Sequence, residues 1–493
     1  MKSIVRIRLS FVVLSLFFLT NTLAAQKLNT DRPQLAPTTV VLGTDNPLID
    51  VPAVQSAVDQ GGTVLLKGTF DFGADAGNHI VVPGRPYPAQ DVKGKSTVFI
   101  YQKDVRIIGE TGKHGELLTV VKNGMPPFWI GWDGYVYRSP PPGVEGVDFG
   151  TETFLVDQNG LINYRDTGPE PGYMGPQTRY ATAFQNVSAT IKHIYFDSPR
   201  HYGVKATAGR DVVLIGNVFR KVQVGGLVNA NGIGVTHIAA GFIGVSLFYP
   251  PFVFPAITGT IDVEQNVVDD SGTDPTINTH AGECFGLGAF GTLAAVTIKQ
   301  NVIRNVGRRA NGTASQTLES ASIWVGDNYA ASPLVAENVI YNSSGFGIWH
   351  LAAYPPYPAP RIEKNTLVDC AWSGIATDSL IGEVLDGVSI DENLIFQDGR
   401  LGSGLSCITA NSLNACAIRK NSFAGGFAAP LVVFGSSTNC KALMNRDWRQ
   451  TIPPESPTYF LDSSSSGNLI KGASGTAVDN GTNNTILLPS RGK

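Results

Sequence analysis

Seven times the chain repeats one short phrase: an aliphatic residue, two variable residues, an asparagine, and usually more apolar residues. Asn217, Asn266, Asn301, Asn338, Asn365, Asn393 and Asn421 each stand three positions after Leu214, Val263, Ile298, Val335, Ile362, Ile390 and Ile418. The asparagine spacings are 49, 35, 37, 27, 28 and 28 residues, tightening to a near-constant period toward the C-terminus. A period of this size predicts a solenoid, in which each unit buries its apolar face only by stacking on its neighbours. The units are short β-branched runs with alternation and glycine breaks, and they lack a 3.6-residue rhythm, so each is a turn of strands. The expected class is all-β, a parallel β-helix.

The repeated phrase, followed by a glycine-aliphatic strand, resembles the right-handed parallel β-helices of the pectin-lyase-like superfamily. The resemblance spans roughly residues 40–435. It implies that the asparagines sit at a bend between two strands of each coil and bond one another's amides. A weaker copy, Ile191 to Phe196, reads with His193 in the asparagine slot, and Val105 to Gly109 reads as an earlier rung. The run from Val54 through Val58 to Gly68 resembles the capping helix and first strand that open such solenoids. Two large loop insertions are expected, at about 110–180 and 225–260, with a further long stretch over 270–297. Residues 436–493 read as a polar tail or cap that blocks edge pairing. Fold alone does not fix function.

Residues 1–25 combine Lys2, Arg6 and Arg8, an apolar stretch from Phe11 to Leu19, and the small residues Ala24 and Ala25. This is the pattern of a secretory signal peptide, so a secreted or periplasmic protein is expected. Net charge is −3 and charged residues are 16%, so no basic face announces nucleic acid. Ile238 to Ile257 carries no charge, but Pro250, Pro251 and Pro255 break any continuous helix, which argues against a membrane span. Five cysteines in an exported chain allow up to two disulfides, and Cys407 with Cys416, flanking one bend, is the pair expected from spacing. The alternative is that all five are small core fillers. The sequence does not fix the oligomeric state.

β-Helices carry function in loops that leave a rigid scaffold. The first insertion holds Trp129, Trp132, Tyr135 and Tyr137, ring systems that suit the C–H faces of sugars or form the core of a small subdomain. Aligning the strand after each glycine gives an outward column of Lys205, Val228, Phe285, Trp324, Trp349, Ala376, Ser406 and Val432. Phe285, Trp324 and Trp349 would then form a stripe about 10 Å long at strand spacing, either an open ledge for a sugar chain or a surface covered by loops. Titratable groups gather around it. Glu283, Glu319 and Asp327 are the first acid/base candidates, His201, His280 and Lys205 the next, with Arg210 as a substrate-binding cation. His350 is expected to point inward.

Two chemistries are common on the resembled fold. Glycoside hydrolysis with inversion needs two carboxyls about 6.5–9.5 Å apart. Lyases acting on uronic acid polymers need a cation against the sugar carboxylate and a base for the C5 proton. The motif series of polygalacturonase-like hydrolases is absent, and so are the patterns of pectate-lyase-like enzymes, so no catalytic residue transfers by motif. No metal-binding, nucleophile-elbow or phosphate-loop spacing is present. A calcium site built from scattered Asp and Asn side chains is compatible with such folds, but no ligand run marks one. No membrane-barrel segment follows residue 440, which disfavours an autotransporter passenger. Two readings remain: an exported polysaccharide lyase or glycoside hydrolase, and a non-catalytic secreted β-helix that holds glycan or meets a surface.

Overall fold

The computed structural model describes residues 38–73, 96–100, 103–124, 126–130, 136–138, 153–156, 162–165, 187–199, 203–206, 209–222, 257–271, 285–292, 294–307, 321–328, 331–352, 358–379, 384–397, 406–425, 429–449, 456–472 and 474–489. From Thr38 onward the chain winds repeatedly through three sides. The first side is a 14-stranded sheet running from Thr39–Leu42 to Thr485–Ile486. The second is an 11-stranded sheet from Thr69–Phe72 to Arg446–Asp447. The third is in two parts: Val98–Ile100, Phe128–Ile130 and Val204–Ala206, then eight strands from Phe285–Thr292 to Ala477–Asp479. Within each side every strand pairs in parallel with the coil before and after it. This is the expected parallel β-helix. Within the segment 110–180 expected as an insertion, Val120–Asn123 and Phe128–Ile130, the strand of Trp129, are instead solenoid strands, and Val136–Arg138, Thr153–Val156 and Ile162–Arg165 form a three-stranded antiparallel sheet. The apolar stretch 238–257 lies outside the described residues except for Ile257, and among those described no helix is long and apolar enough to cross a membrane.

The aliphatic residue of each phrase faces the core and stacks in register on its neighbours: Ile191, Leu214, Val263, Ile298, Val335, Ile362, Ile390 and Ile418 form one fully buried file. Coils near the N-terminus are filled by rings, with Phe196 stacked on Phe219 at 4.4 Å and Phe128 edge-on to Phe196 at 6.0 Å. The helix Pro47–Gln60 closes the N-terminal end. Its buried Asp50 accepts from the backbone N–H groups of Thr44, Asn46 and Asp71, and Gln55 bonds both the N–H and the carbonyl of Phe99. The first strands of the second and third sides therefore meet side-chain carboxylate and amide groups, while the first side ends on the edge strand Thr39–Leu42.

The asparagines stand at the bend between the first and second sides, and all are buried. The Nδ2 of each donates to the Oδ1 of the next: Asn217 to Asn266 at 3.0 Å, Asn301 to Asn338 at 2.9 Å, Asn338 to Asn365 at 2.9 Å, and so on to Asn445. The same Nδ2 donates to the phrase's aliphatic carbonyl one coil back, as Asn338 does to Ile298 at 2.9 Å. Each Oδ1 also accepts the backbone N–H of the preceding asparagine, as Asn338 does from Asn301 at 3.0 Å. The residue before each asparagine is left-handed, with φ between 54° and 57° from Gln265 to Met444. That conformation costs a side-chain-bearing residue roughly 1 kcal/mol, and the saturated amide column holds it in place.

Three expectations are corrected here. Lys192 pairs with Ile215, so His193 matches left-handed Gly216 and it is Ile194 that occupies the asparagine slot. Ile194 starts the ladder with its backbone N–H, which donates to Asn217 Oδ1 at 3.1 Å. The segment 436–493 is more than a polar tail: Lys441–Leu443, Leu469–Lys471 and Thr485–Ile486 extend the first sheet. A second amide file, Asn468 to Asn484, lines the bend before its last strands. The disulfide joins Cys416 to Cys440, while Cys407 is a free, buried thiol, as is Cys370. Cys416 and Cys440 occupy the same position on successive coils with Cα atoms 4.4 Å apart, whereas Cys407 belongs to the third side.

The ladder yields a stability prediction. Asn338→Ala leaves the Asn301 N–H without its acceptor and the Ile298 carbonyl without its Nδ2 donor, while the Asn301 Nδ2 keeps the carbonyls of Val263 and Lys299. It should cost roughly 2–6 kcal/mol in urea unfolding, summing penalties of about 1–3 kcal/mol for each of the two orphaned groups. Exposed Gln300→Ala, one residue from the ladder, should change stability by under about 0.5 kcal/mol. Equal effects would show that the column is not what holds the bend.

Candidate functional site

The outer faces of the three sides differ in chemistry. On the first side the outward residues are largely paired ions: Lys299 with Glu264 at 3.1 Å, Arg361 with Glu363 at 3.0 Å, and Arg419 with Asp391. On the N-terminal half of the second side, Asp71, Lys122, Asp197, Arg220, Asp269 and Arg304 alternate in sign along one outward column. The third side instead turns aromatic rings outward. Ile323 and Val325 belong to the central core, whereas Trp324 between them joins a separate cluster with Ala321, Phe346, Trp349, Leu351 and Ala376. Trp324 stacks on Trp349 at 4.9 Å, Trp349 on Phe346 at 5.1 Å, and half-buried Trp372 packs edge-on against Phe346 at 5.5 Å.

The expected register of this column needs correction. Trp324 does pair with Trp349, and Trp349 with Ala376, but the file continues to Thr409 and Val433, not to Ser406 and Val432. Gly288 stands opposite Trp324, while Phe285 stands opposite Ala321. The cause lies on the inner face, where Leu287, Ile323, Ile348, Ile375, Ile408 and Val432 form a continuous aliphatic file, and a strand slides until its large aliphatic residues coincide. The stripe is also covered: Trp324 is 1% exposed and Trp349 9%.

Nearer the N-terminus the third side carries a second outward file of Phe99, Trp129 and Lys205. Phe99 stacks on Trp129 at 5.5 Å, and the Lys205 Nζ lies 4.5 Å above the Trp129 ring. Lys205 is only 4% exposed, so its ammonium is held on the aromatic face with little water. Arg210, expected to bind substrate, lies on the first sheet and bonds Asp104 at 2.8 Å and Asp211 at 3.1 Å. Burial is the largest single influence on the Asp211 carboxyl and would raise its pKa, but donors from Ser188, Arg210 and Thr260 together hold it low. Asp262, two residues beyond Thr260, is shifted upward, chiefly by burial and then by the charge of Glu264.

Glu283, Glu319, His201, His280, Trp132 and Val228 lie outside the described residues. Asp327 is the penultimate residue of the strand Ala321–Asn328 and Phe285 opens Phe285–Thr292, with their side chains outside what is described. The structure therefore brings together Trp324 and Trp349 in one cluster, and Trp129 and Lys205 in another. Among the described residues, no three His, Cys, Asp or Glu side chains form a group that could hold a metal ion.

His350 points inward, as its place after Trp349 implied. It sits in a core file between Val325 and Thr377, and its Nδ1 has no hydrogen-bond partner among the described residues. Burial pushes its pKa down to about 3, so it is a neutral core imidazole. Sequence reading missed the hydroxyl cluster of Ser373, Ser406 and Thr409, joined at 2.6–3.3 Å beside the aromatic cluster. Only the register, once known, aligns these residues.

The chain matches no protein-family model and no curated protein sequence. Solved structures similar to it include the A-module of the mannuronan C-5 epimerase AlgE4 of Azotobacter vinelandii, at 12% identity and TM-score 0.37, covering 91% of this chain and 96% of that one. PfbA, a surface adhesin of Streptococcus pneumoniae, matches at 11% identity and TM-score 0.34, covering 90% and 89%. An endo-xylogalacturonan hydrolase from Aspergillus tubingensis matches at 9% identity and TM-score 0.32, covering 92% and 97%.

The buried imidazole makes a pH prediction. Its folded pKa lies below the unfolded 6.5, so the unfolded chain binds the extra proton between the two values. This contribution to stability is complete above about 6.5 and is lost as pH falls toward about 3. Urea midpoints measured from pH 7 to pH 4 should fall less steeply in His350→Leu than in the parent protein. An unchanged slope would mean that His350 is charged or solvated in the fold.

Proposed function

We propose that this protein is an exported, polysaccharide-active enzyme that engages its polymer along the outer surface of the third side, by lyase or glycoside hydrolase chemistry. One observation carries the reading: among the described residues the third side carries two outward files of stacked rings, one of them with a largely buried ammonium held on its face, where the first side and half of the second place ions. Rings stack on the C–H faces of sugars, and a cation held out of water stabilises a uronate carboxylate more strongly than one in bulk solvent. In a lyase, Lys205 would neutralise the sugar carboxylate or take the C5 proton, with His201 and His280 as further bases. In a hydrolase, Glu283, Glu319 and Asp327 would supply the acid and base. Calcium is a candidate co-ligand in the lyase case, where it would neutralise the sugar carboxylate.

A second reading has an observation of its own. Trp324 and Trp349 stack on each other and are almost removed from solvent, as they would be in a packed structural cluster. On that reading the protein is a secreted β-helix that holds glycan without cutting it.

A panel of uronic-acid and neutral polysaccharides, with and without calcium, separates these. Unsaturated product read by ultraviolet absorbance is expected if the lyase chemistry holds, and it should be lost in Lys205→Met while thermal unfolding stays cooperative. New reducing ends without absorbance mean hydrolysis, and Glu319→Gln should then be inactive. Silence on every polymer, with retention on a glycan array, favours the binding protein.

A further inference from the structure

The second side changes character half-way along. Its outward column alternates in charge as far as Arg304, then continues in register as Tyr341, Val368, Phe396, Ala424 and finally Trp448, whose N–H donates to Phe423. Five coils thus present a ring or an aliphatic group where the preceding six present ions. The strip is open, with Trp448 60% and Phe396 37% exposed and exposed Leu394 beside it. An exposed apolar strip on a side whose preceding coils carry ions at the same position calls for an occupant.

We propose that this strip is a docking surface for an acidic polysaccharide, separate from the third side and independent of whether that side cuts its polymer. Phe396 and Trp448 lie two coils apart, about 10 Å at strand spacing, close to the length of a disaccharide, so a repeating polymer meets a ring every second unit. One cation at the strip lacks an ionic partner: the Arg446 guanidinium lies 5.9 Å over the Trp448 ring and makes no ion pair among the described residues. The nearby bend is balanced, with exposed Glu337, Lys364, Glu392 and Lys420 alternating in sign on successive coils and Lys420 bonded to Glu392 at 3.0 Å. A ring carrying an uncompensated cation at its edge fits a sugar with an apolar face and a carboxylate. A second copy of this chain fits less well, because a two-fold contact through the strip places the same unpaired Arg446 guanidinium on both sides.

The test is affinity electrophoresis of the full-length protein in gels containing polygalacturonate, alginate or dextran, at two salt concentrations. Retardation is expected in the two acidic polymers and not in dextran, and it should weaken with salt. Trp448→Ala and Phe396→Ala, at exposed positions, should each weaken retention roughly tenfold. Arg446→Gln should remove most of the preference for acidic over neutral polymer, and circular dichroism should show an unchanged fold in all three. Product release from short oligosaccharides is followed in parallel, so that failure of the third-side reading and failure of this one are told apart. Absence of retention in the parent protein, or retention unaltered in these variants, overturns the proposal. So does a dimer in sedimentation that Trp448→Ala dissociates, which would make the strip a contact between copies.

Discussion

A buried primary amide cannot be left half-bonded, and that requirement organises this protein. Each asparagine of the ladder offers two N–H groups and an acceptor oxygen at a bend where strand pairing is interrupted. Placed on successive coils at one position, the amides satisfy each other and the bend carbonyls at 2.9–3.1 Å. The arrangement works only if every coil enters the bend at the same residue. The ladder therefore sets the register of the first and second sides together, and it fixes the left-handed residue that turns the chain between them. Loop length elsewhere is unconstrained, which is why spacings from 24 to 49 residues coexist in one stack.

With the inner face committed to aliphatic files and the bend to amides, the outward positions are free to differ from side to side. The protein uses that freedom in three ways: ion pairs on the first side, alternating charge and then an apolar strip on the second, rings with a stacked ammonium on the third. A rigid scaffold with distinct outer columns suits an extended polymer, since successive binding groups recur at the strand spacing along the axis.

The sequence revealed the features that repeat and concealed those that depend on register across insertions. Asn217 through Asn421 were legible because burying an amide requires identical neighbours, which leaves a periodic trace. His193 was misplaced by one position because the ladder ends there on a backbone N–H, and no side chain marks the end. Phe285 was aligned with Trp324 from glycine positions, when Leu287 and Ile323 in the core decided the pairing. Cys440 was overlooked as the partner of Cys416 because the coil period, not local spacing, brings them together. Trp448 was missed altogether, since its column becomes apparent only when the strands around Phe396 and Ala424 are laid side by side.

The central claim is that the outer surface of the third side engages a polysaccharide. The most direct measurement is a crystal structure of the protein with a bound uronic-acid oligosaccharide. The account predicts sugar along the strands Ala321–Asn328 and Phe346–Ala352, running parallel to the stack of coils. Sugar bound only on the ion-paired first side, with the third side bare, would contradict it.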